Sequence, residues 1–376
     1  MRITGVTVHH LRAPLSRRFG WSLNWTAART ATLVEVATDA GLTGWGDGYW
    51  GGQRLVDHPE VVIGRSPFAV EAIFDDLRPL AGHQTRRGEA TAGGLDQALW
   101  DLCGQATGLP VCDLLGPRHR SEVQPYLTAL YRQDWPDLAA GLAEEALTWR
   151  EQGWTRMKMK IGYDPVTDLA AARAVRRALG EAIGLGVDAN CAYDAGTALA
   201  LGAQMEELNL LWWEEPLLAD DLAGYDRLAA GLRIPLAGGE TMSTDRLILD
   251  YIQPRRVAIL QPDLETVGLT GGRRLAQLCW LNRIRLVPHN WGTALRTAAT
   301  LHWLAATPSL TPALAGAELL FEFDQTESPF RDAVLRDAVR PSRPGGPIAV
   351  PAGPGFGVTV DREAVAAFTE RRTEIR

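Results

Sequence analysis

The chain has 376 residues, enough for one large domain or for a large domain with a smaller companion. Hydrophobic residues make up 46% and charged residues 22%, and the net charge of −7 comes without a basic run, which argues against a nucleic-acid or anionic-membrane surface. Four scattered cysteines, Cys103, Cys112, Cys191 and Cys279, form no CxxC pair, the N-terminus MRITGVTVHHL lacks the apolar core of a signal peptide, and apolar runs such as LLWW (210–213) are too short to span a bilayer. A cytoplasmic location and a small-molecule partner are expected.

MRITGVTVHHL alternates like a strand, and TATLVEVATDAGLTGWGDG reads as a hairpin turning at Asp39–Ala40–Gly41. Helical periodicity follows in PFAVEAIFDDLRPLAG and GLDQALWDLCGQATG, the second ending on Gly108 with Pro110 just beyond. These elements predict an α+β unit. From about residue 122 short β-rich runs alternate with amphipathic helical stretches such as DLAAARAVRRALG and RLAQLCWLNR. The predicted strands are 123–130, 156–162, 183–190, 210–216, 234–240, 256–263, 284–290 and 318–324. Eight strands with intervening helices predict a parallel α/β barrel; the doubly wound sheet is disfavoured because no strand is followed by a GxGxxG loop. The Pro- and Gly-rich run RPSRPGGPIAVPAGPGFGVTV reads as a return path, followed by a short helix from near Asp361, by which the tail rejoins the N-terminal unit.

The strand ends carry the chemistry. Lys158 and Lys160 in MKMKIG are two apart and leave the same face of one strand. Two ammonium groups side by side repel and lose hydration on burial, so that face either opens to solvent or meets anions. Asp188, Glu214 and Glu240 follow one another at intervals of 26 residues, and Asp263 and His289 repeat the interval. Each interval is one βα unit, which predicts equivalent places on successive strands, at the mouth where barrel active sites lie. One acid at a strand end is ordinarily a helix N-cap or a surface residue. Three in register behind apolar runs point to a divalent cation, and hard oxygen ligands suit Mg²⁺. Glu214 and Glu215 are expected on opposite faces, so that one alone enters the barrel. The cation and a neighbouring ammonium would lower one lysine pKa and free an amine to act as base. His289 has Asp263 one strand away to fix its tautomer. The other histidines, His9, His10 and His302 among them, take the structural reading.

With these residues in order, the chain resembles the enolase superfamily in its mandelate racemase subgroup. The motifs that carry the resemblance are KxK at Lys158 and Lys160, Asp188 in VDAN, Glu214 in EEP, Glu240 in GGE, Asp263 in QPD, His289 in PHNWG and Glu322 in FEFD. It spans essentially the whole chain. It implies a modified (β/α)7β TIM-like barrel with an α+β capping domain built from the N-terminus and the C-terminal tail, divided as 1–120, 121–330 and 331–376. It also implies Asp188, Glu214 and Glu240 as ligands of Mg²⁺, with Mn²⁺ as a substitute. Lys160 is then one base, Lys158 counters carboxylate charge, His289 serves the opposite face as acid or base, and Glu322 hydrogen-bonds the enolic oxygen. The implied chemistry is loss of the α-proton of a sugar acid or its lactone through an enediolate. LQPDLETVGLTGG, VPHNWGTAL and FEFDQTESPFRDAVLRDAV most resemble the subgroup's acid-sugar enzymes. β-Elimination, by an aldarolactone cycloisomerase or an acid-sugar dehydratase, is therefore expected, with racemisation or epimerisation as the alternative. The expected partners are a small carboxylate or lactone and further copies of the chain, from dimer to octamer.

The loops RRFGWSLNW (17–25) and AGHQTRRGEA (81–90) depart from the pattern and are expected to choose the substrate. Arg17 or Arg18 is expected at the distal end of a polar acid, Trp21 or Trp25 as a shield against water, and Asn190 as a further substrate contact. Two readings from other classes are a Schiff-base aldolase, in which a lysine forms an imine, and a barrel that binds sugar acids without turnover.

Overall fold

Strand pairing divides the chain into two sheets in the computed structural model, which describes all residues except Leu23, 78–91, 243–244, 312–318 and Ala338. The loop 81–90 singled out above lies outside the described residues. The first sheet takes β1 (Ile3–Trp21), β2 (Asn24–Thr38) and β3 (Thr43–Asp47) from the N-terminus. Helices α1 (Gly52–Asp57), α2 (Val70–Leu77), α3 (Gly93–Thr107) and α4 (Val111–Leu115) follow. Alternation buries Val6 and Val8 of β1, and α3, whose residues from Gly93 to Gly104 are all buried, packs on β2 and β3. Gly108, in the left-handed region at φ 72°, ends α3 as its C-cap.

The second sheet is parallel, in the order β11-β4-β5-β6-β7-β8-β9-β10. Its strands are β4 (Glu122–Thr128), β5 (Arg156–Lys160), β6 (Gly184–Asp188), β7 (Trp213–Glu214), β8 (Leu236–Gly238), β9 (Ile259–Leu260), β10 (Arg285–Leu286) and β11 (Leu320–Asp324). Between them run α5 (Leu138–Glu151), α6 (Pro165–Leu179), α7 (Ala195–Met205), α8 (Leu222–Gly231), α9 (Asp245–Ile252), α10 (Leu264–Asn282) and α11 (Ala294–Ala305). This is a (β/α)7β barrel. Its strands are shorter than the apolar runs, because tilted neighbours leave register after a few residues. Single bonds continue the ladders, as from Gln261 N to Gly238 O at 2.9 Å and from Val287 N to Leu260 O at 3.0 Å. Tyr126, Trp212, Ala237, Ile259, Val287 and Leu320 form a separate apolar cluster that fills the barrel interior. Among the described residues no strand pairing joins β10 to β11. Asn290 spans that seam, donating from its backbone N to Glu322 Oε2 at 2.8 Å and from Nδ2 to Glu322 O at 3.2 Å.

The tail crosses below the barrel as β12 (Ile348–Ala349), which pairs with β4. It then forms α12 (Arg362–Phe368), N-capped by Asp361, and ends as β13 (Thr369–Ile375) on the edge of the first sheet beside β1. The cap is thus completed by the last residues of the chain.

Candidate active site

The strand register explains how the charges meet. Lys160 pairs with Asp188 across β5 and β6, and Asp188 pairs with Glu214 across β6 and β7. Asp263 and His289 form a parallel bridge of their own. Glu240 departs from the equal-place expectation: Glu214 lies opposite Ala237, and the chain reaches Glu240 through Gly239 at φ 125°. That φ favours glycine, and a Cβ there would sit 3.2 Å from Leu260 Cδ1, a tight contact that a small shift of the leucine would relieve. Carboxylate oxygens of Asp188, Glu214 and Glu240 nevertheless lie within 4.8 Å of one another.

Lys158 and Lys160 face this cluster, while Met157, Met159 and Ile161 are fully buried on the other side of the strand. Lys158 Nζ lies 2.6 Å from Glu214 Oε1, 2.8 Å from Glu322 Oε1 and 3.7 Å from Asp188 Oδ2. Lys160 Nζ pairs with Asp188 Oδ2. The expected lowering of a lysine pKa is not what these contacts produce. Burial does act to lower both, but attraction by Glu214 and Glu322 at Lys158, and by Asp188 at Lys160, wins, and both ammonium groups are held above their ordinary value.

Glu214 receives three donors: Lys158, Trp212 Nε1 at 3.0 Å and Gln261 Nε2 at 2.6 Å. Burial pushes its carboxyl up, but a group that accepts from three donors is placed to be an anion. Glu215 takes the face opposite to Glu214, as expected: its Cγ would lie 3.6 Å from a Cβ on Gly238, on the side of Tyr225 and Tyr251, while Glu214 stands beside Ala237 of the interior cluster. Its φ is 39°, and its buried carboxyl accepts from Thr241 Oγ1 at 3.0 Å and from Cys191 Sγ at 3.4 Å. Burial, with the nearby charges of Glu240, Asp188 and Glu214, drives its carboxyl well up. Asp188, Glu214 and Glu322 contact the two ammonium groups, and Glu240 stands beside Asp188 and Glu214. Glu240 Oε2 is buried and accepts no hydrogen bond among the described residues. An acid-rich oxygen set with an unsatisfied carboxylate oxygen fits a hard divalent cation.

Asp263 carries out both roles that an acid at a strand end can have. Its Oδ1 caps α10 by accepting from Glu265 N at 2.7 Å, and its Oδ2 lies 2.5 Å from His289 Nδ1. His289 Nε2 then faces Glu240 Oε2 at 3.4 Å and Glu322 Oε2 at 3.9 Å. Burial acts to lower the imidazole, but Glu240, Glu322 and Asp263 outweigh it and raise it to about 10. Glu322 accepts from Thr128 Oγ1 at 2.6 Å as well as from Asn290 N and Lys158. Burial opposes ionisation, yet Lys158 and His289 hold this carboxyl well below the usual range. A carboxylate so engaged is an acceptor, and in a hydrogen bond with an enolic oxygen the proton would stand on that oxygen.

The substrate-side residues separate into two groups. Trp21 packs edge-on against Trp291 at 5.5 Å and Tyr131 at 6.2 Å, and Lys160 Nζ lies 5.4 Å from the centre of the Tyr131 ring. Asn190, at φ 43°, donates its N–H to Asp188 Oδ1 at 2.8 Å, and its own Oδ1 is buried without a hydrogen-bond partner among the described residues. Arg17 donates to Gln133 Oε1 at 3.1 Å and, with Arg18, Phe19, Tyr131 and Gln325, lines a recess of about 150 Å³. Arg18 and Trp25 have partners of their own. Arg18 forms a two-pronged pair with Asp134 at 2.8 and 2.7 Å, and Trp25 lies between the guanidinium groups of Arg18 and Arg132 at 4.6 and 4.7 Å.

Sequence reasoning missed Trp212, Gln261, Thr128, Asn290 and Arg296. Trp212 and Gln261 each lie two residues before a singled-out acid, so period two was a usable signal for both. Asn290 stands next to His289. Nothing local marked Thr128 or Arg296.

The chain belongs to the mandelate racemase and muconate lactonizing enzyme family of the enolase superfamily. Residues 3–116 match the family's N-terminal domain and residues 141–364 match the enolase C-terminal domain-like model. The chain is 34% identical, over 98% of its length and 99% of the relative's, to a D-galactarolactone cycloisomerase of Agrobacterium fabrum. It is 29% identical to an arabinonate dehydratase of Saccharolobus solfataricus, over 87% of each chain. The crystal structure of a 3,6-anhydro-D-galactonate cycloisomerase from Zobellia galactanivorans superposes with a TM-score of 0.84 at 29% identity, covering 99% of this chain and 100% of that one. The protein is an enzyme of this superfamily, with relatives named for cycloisomerase and dehydratase reactions on acid sugars. No described helix is long and apolar enough to cross a membrane.

Proposed function

We propose that this enzyme removes the α-proton of a sugar acid or its lactone and completes the reaction by β-elimination, as an aldarolactone cycloisomerase or an acid-sugar dehydratase. The observation that carries the reading is the placement of two proton-bearing groups, Lys160 on β5 and His289 beyond β10, on either side of the Asp188–Glu214–Glu240 cluster. Those three residues would hold Mg²⁺ or Mn²⁺, which when bound supplies positive charge facing the substrate carboxylate. Lys158, anchored between Glu214 and Glu322, keeps a second positive charge at the same place. Proton abstraction needs one base released from its proton. Burial and the adjacent Lys158 push Lys160 that way, against the carboxylates. The electron pair of the broken C–H bond expels the β-substituent. Hydroxide leaves as water by taking a proton, which the protonated His289 is placed to give; a lactone acyloxy group leaves as a carboxylate. The enol then tautomerises to a 2-keto acid.

Two bases on different sides of the mouth also serve inversion at the α-carbon, so epimerisation is the second reading. Lys158 is anchored between Glu214 and Glu322 and Lys160 pairs with Asp188, so the geometry gives a Schiff-base aldolase no specific support. The test is a panel of sugar acids and lactones with the Mg²⁺-loaded enzyme, followed by proton NMR in D₂O. A 2-keto-3-deoxy acid is expected, an inverted stereocentre supports epimerisation, and neither product nor deuterium incorporation across the panel overturns both.

A further inference from the structure

We infer that Arg296 of α11 and Asp47 of the cap act together as the positioning unit of the His289–Asp263 pair, making the cap part of the proton-transfer machinery. Arg296 is buried, with 3% exposure, in the first turn of α11. Its Nη1 lies 3.2 Å from Asp263 Oδ2, the oxygen that His289 Nδ1 also approaches. Its Nη2 lies 2.7 Å from Asp47 Oδ1 and 2.6 Å from Glu265 Oε2. Asp47 is fully buried at the end of β3, and its Oδ2 accepts from Thr293 N at 2.7 Å. Gln97 of α3 fixes the backbone of Asp47 from the cap side, donating to its carbonyl at 2.9 Å. Gly292 belongs to the same unit, since a Cβ there would lie 2.5 Å from Arg296 Nε and 2.9 Å from Asp47 Oδ2.

The arrangement is a continuous line from cap to base: Asp47, Arg296, Asp263, His289. Asp263 has one oxygen committed to the cap of α10, so the direction of the other is set by what shares it. A planar guanidinium held at its far end by Asp47 fixes that direction, and with it the imidazole. Neutralisation of buried acids would by itself ask for a cation here. It would not require that cation to bridge the cap strand to the oxygen facing His289.

The test uses protein labelled with ¹⁵N in histidine, with the His289 Nδ1–H resonance identified by its loss in His289→Asn. Asp47→Asn and Arg296→Lys are each expected to shift that resonance. Asp101→Asn removes another buried cap acid, one that accepts from Trp45 N and Phe356 N, and should leave the resonance in place. A second arm rests on the proposed function: in D₂O with substrate, Asp47→Asn should slow exchange on the His289 face by about tenfold, the scale of coupling within one buried network, and spare the Lys160 face. A resonance unmoved in both variants, or moved equally by Asp101→Asn, overturns the inference. So does equal loss of exchange on both faces. If the native enzyme exchanges no sugar-acid proton at all, the functional reading fails instead, and the resonance, which needs no substrate, still decides this one.

Discussion

Two largely buried histidines, one at the barrel mouth and one on the back of α11, take opposite protonation states. His289 has a carboxylate at each ring nitrogen, Asp263 at Nδ1 and Glu240 and Glu322 beyond Nε2, and is raised to about 10. His302 accepts from Cys112 N at Nδ1, at 3.2 Å, and donates from Nε2 to Phe356 O at 3.1 Å. A donor on one side and an acceptor on the other fix a neutral ring. Burial depresses that ring, with a smaller push from Arg118, to about 4. Burial disfavours charge at both places; the partners decide whether it prevails. The mouth of the barrel is assembled to keep charge, and the junction of α11 with α4 and the return path is assembled to refuse it.

The comparison breaks first if the mouth works without a cation. Asp188, Glu214 and Glu240 converge with Glu240 Oε2 buried and unsatisfied among the described residues, an oxygen that a divalent ion would meet. Chelation should abolish turnover and Mg²⁺ or Mn²⁺ restore it, while Glu240→Gln should weaken metal binding measured by calorimetry. Full activity in metal-free protein, checked by elemental analysis, would remove the basis for the site.

Next in size is the proton-transfer pair. His289→Asn and Lys160→Ala should each lower turnover by about 10²–10⁴-fold, the usual range for a lost general acid or base. Each variant should still exchange deuterium on the face served by the other base, and both should keep the metal. Identical exchange stereochemistry in the two variants would refute the opposed assignment. His302→Asn should leave the exchange stereochemistry as in the native enzyme, which sharpens the contrast between the two histidines.

A smaller effect separates the neighbouring arginines. Both line the recess beside Tyr131, but the side chain of Arg17 donates there only to Gln133 among the described residues, and its removal should raise KM for long polar acids more than it lowers kcat. Arg18 is 55% exposed at its side chain and bound to Asp134, a surface pair worth about 0–1 kcal/mol. Arg18→Ala should leave the kinetics within about twofold, in line with that small energy. Equal kinetic loss in both variants would place Arg18 at the substrate after all.

Most of the barrel and of its charged mouth was legible because two periods, two residues within a strand and one βα unit between strands, act locally. Lys158, Lys160, Asp188 and Glu214 obey both. Glu240 obeys the interval but not the register, since a single glycine turn moved it past the strand end. Glu215 keeps the alternation, facing Gly238, Tyr225 and Tyr251 rather than the barrel interior. Asp47 and Arg296 could not be read, because their meeting depends on how the cap docks on α11. The pairing of Arg18 with Asp134 is likewise a contact between hairpin and barrel loop, which no local pattern reports.

The last and mildest prediction concerns stability alone. In the unfolded chain His302 takes a proton near its ordinary value of 6.5, whereas the folded ring resists one until about pH 4. The unfolded state therefore binds more protons between those values, so the contribution of His302 to stability is full above 6.5 and is lost as pH falls. The loss approaches about 3 kcal/mol at pH 4, since every tenfold difference in proton affinity between the two states is worth about 1.4 kcal/mol. Protonation at Nδ1 would also set two donors against each other, the new N–H and that of Cys112. Arg118 lies near enough to add to the cost, and Asp113 offsets part of it. Denaturant midpoints between pH 7 and 4 should fall steeply in the native protein and less steeply in His302→Gln, whatever the variant's stability at pH 7. Parallel curves would mean that this ring accepts its proton in the folded state, and the contrast with His289 would then rest on the mouth alone.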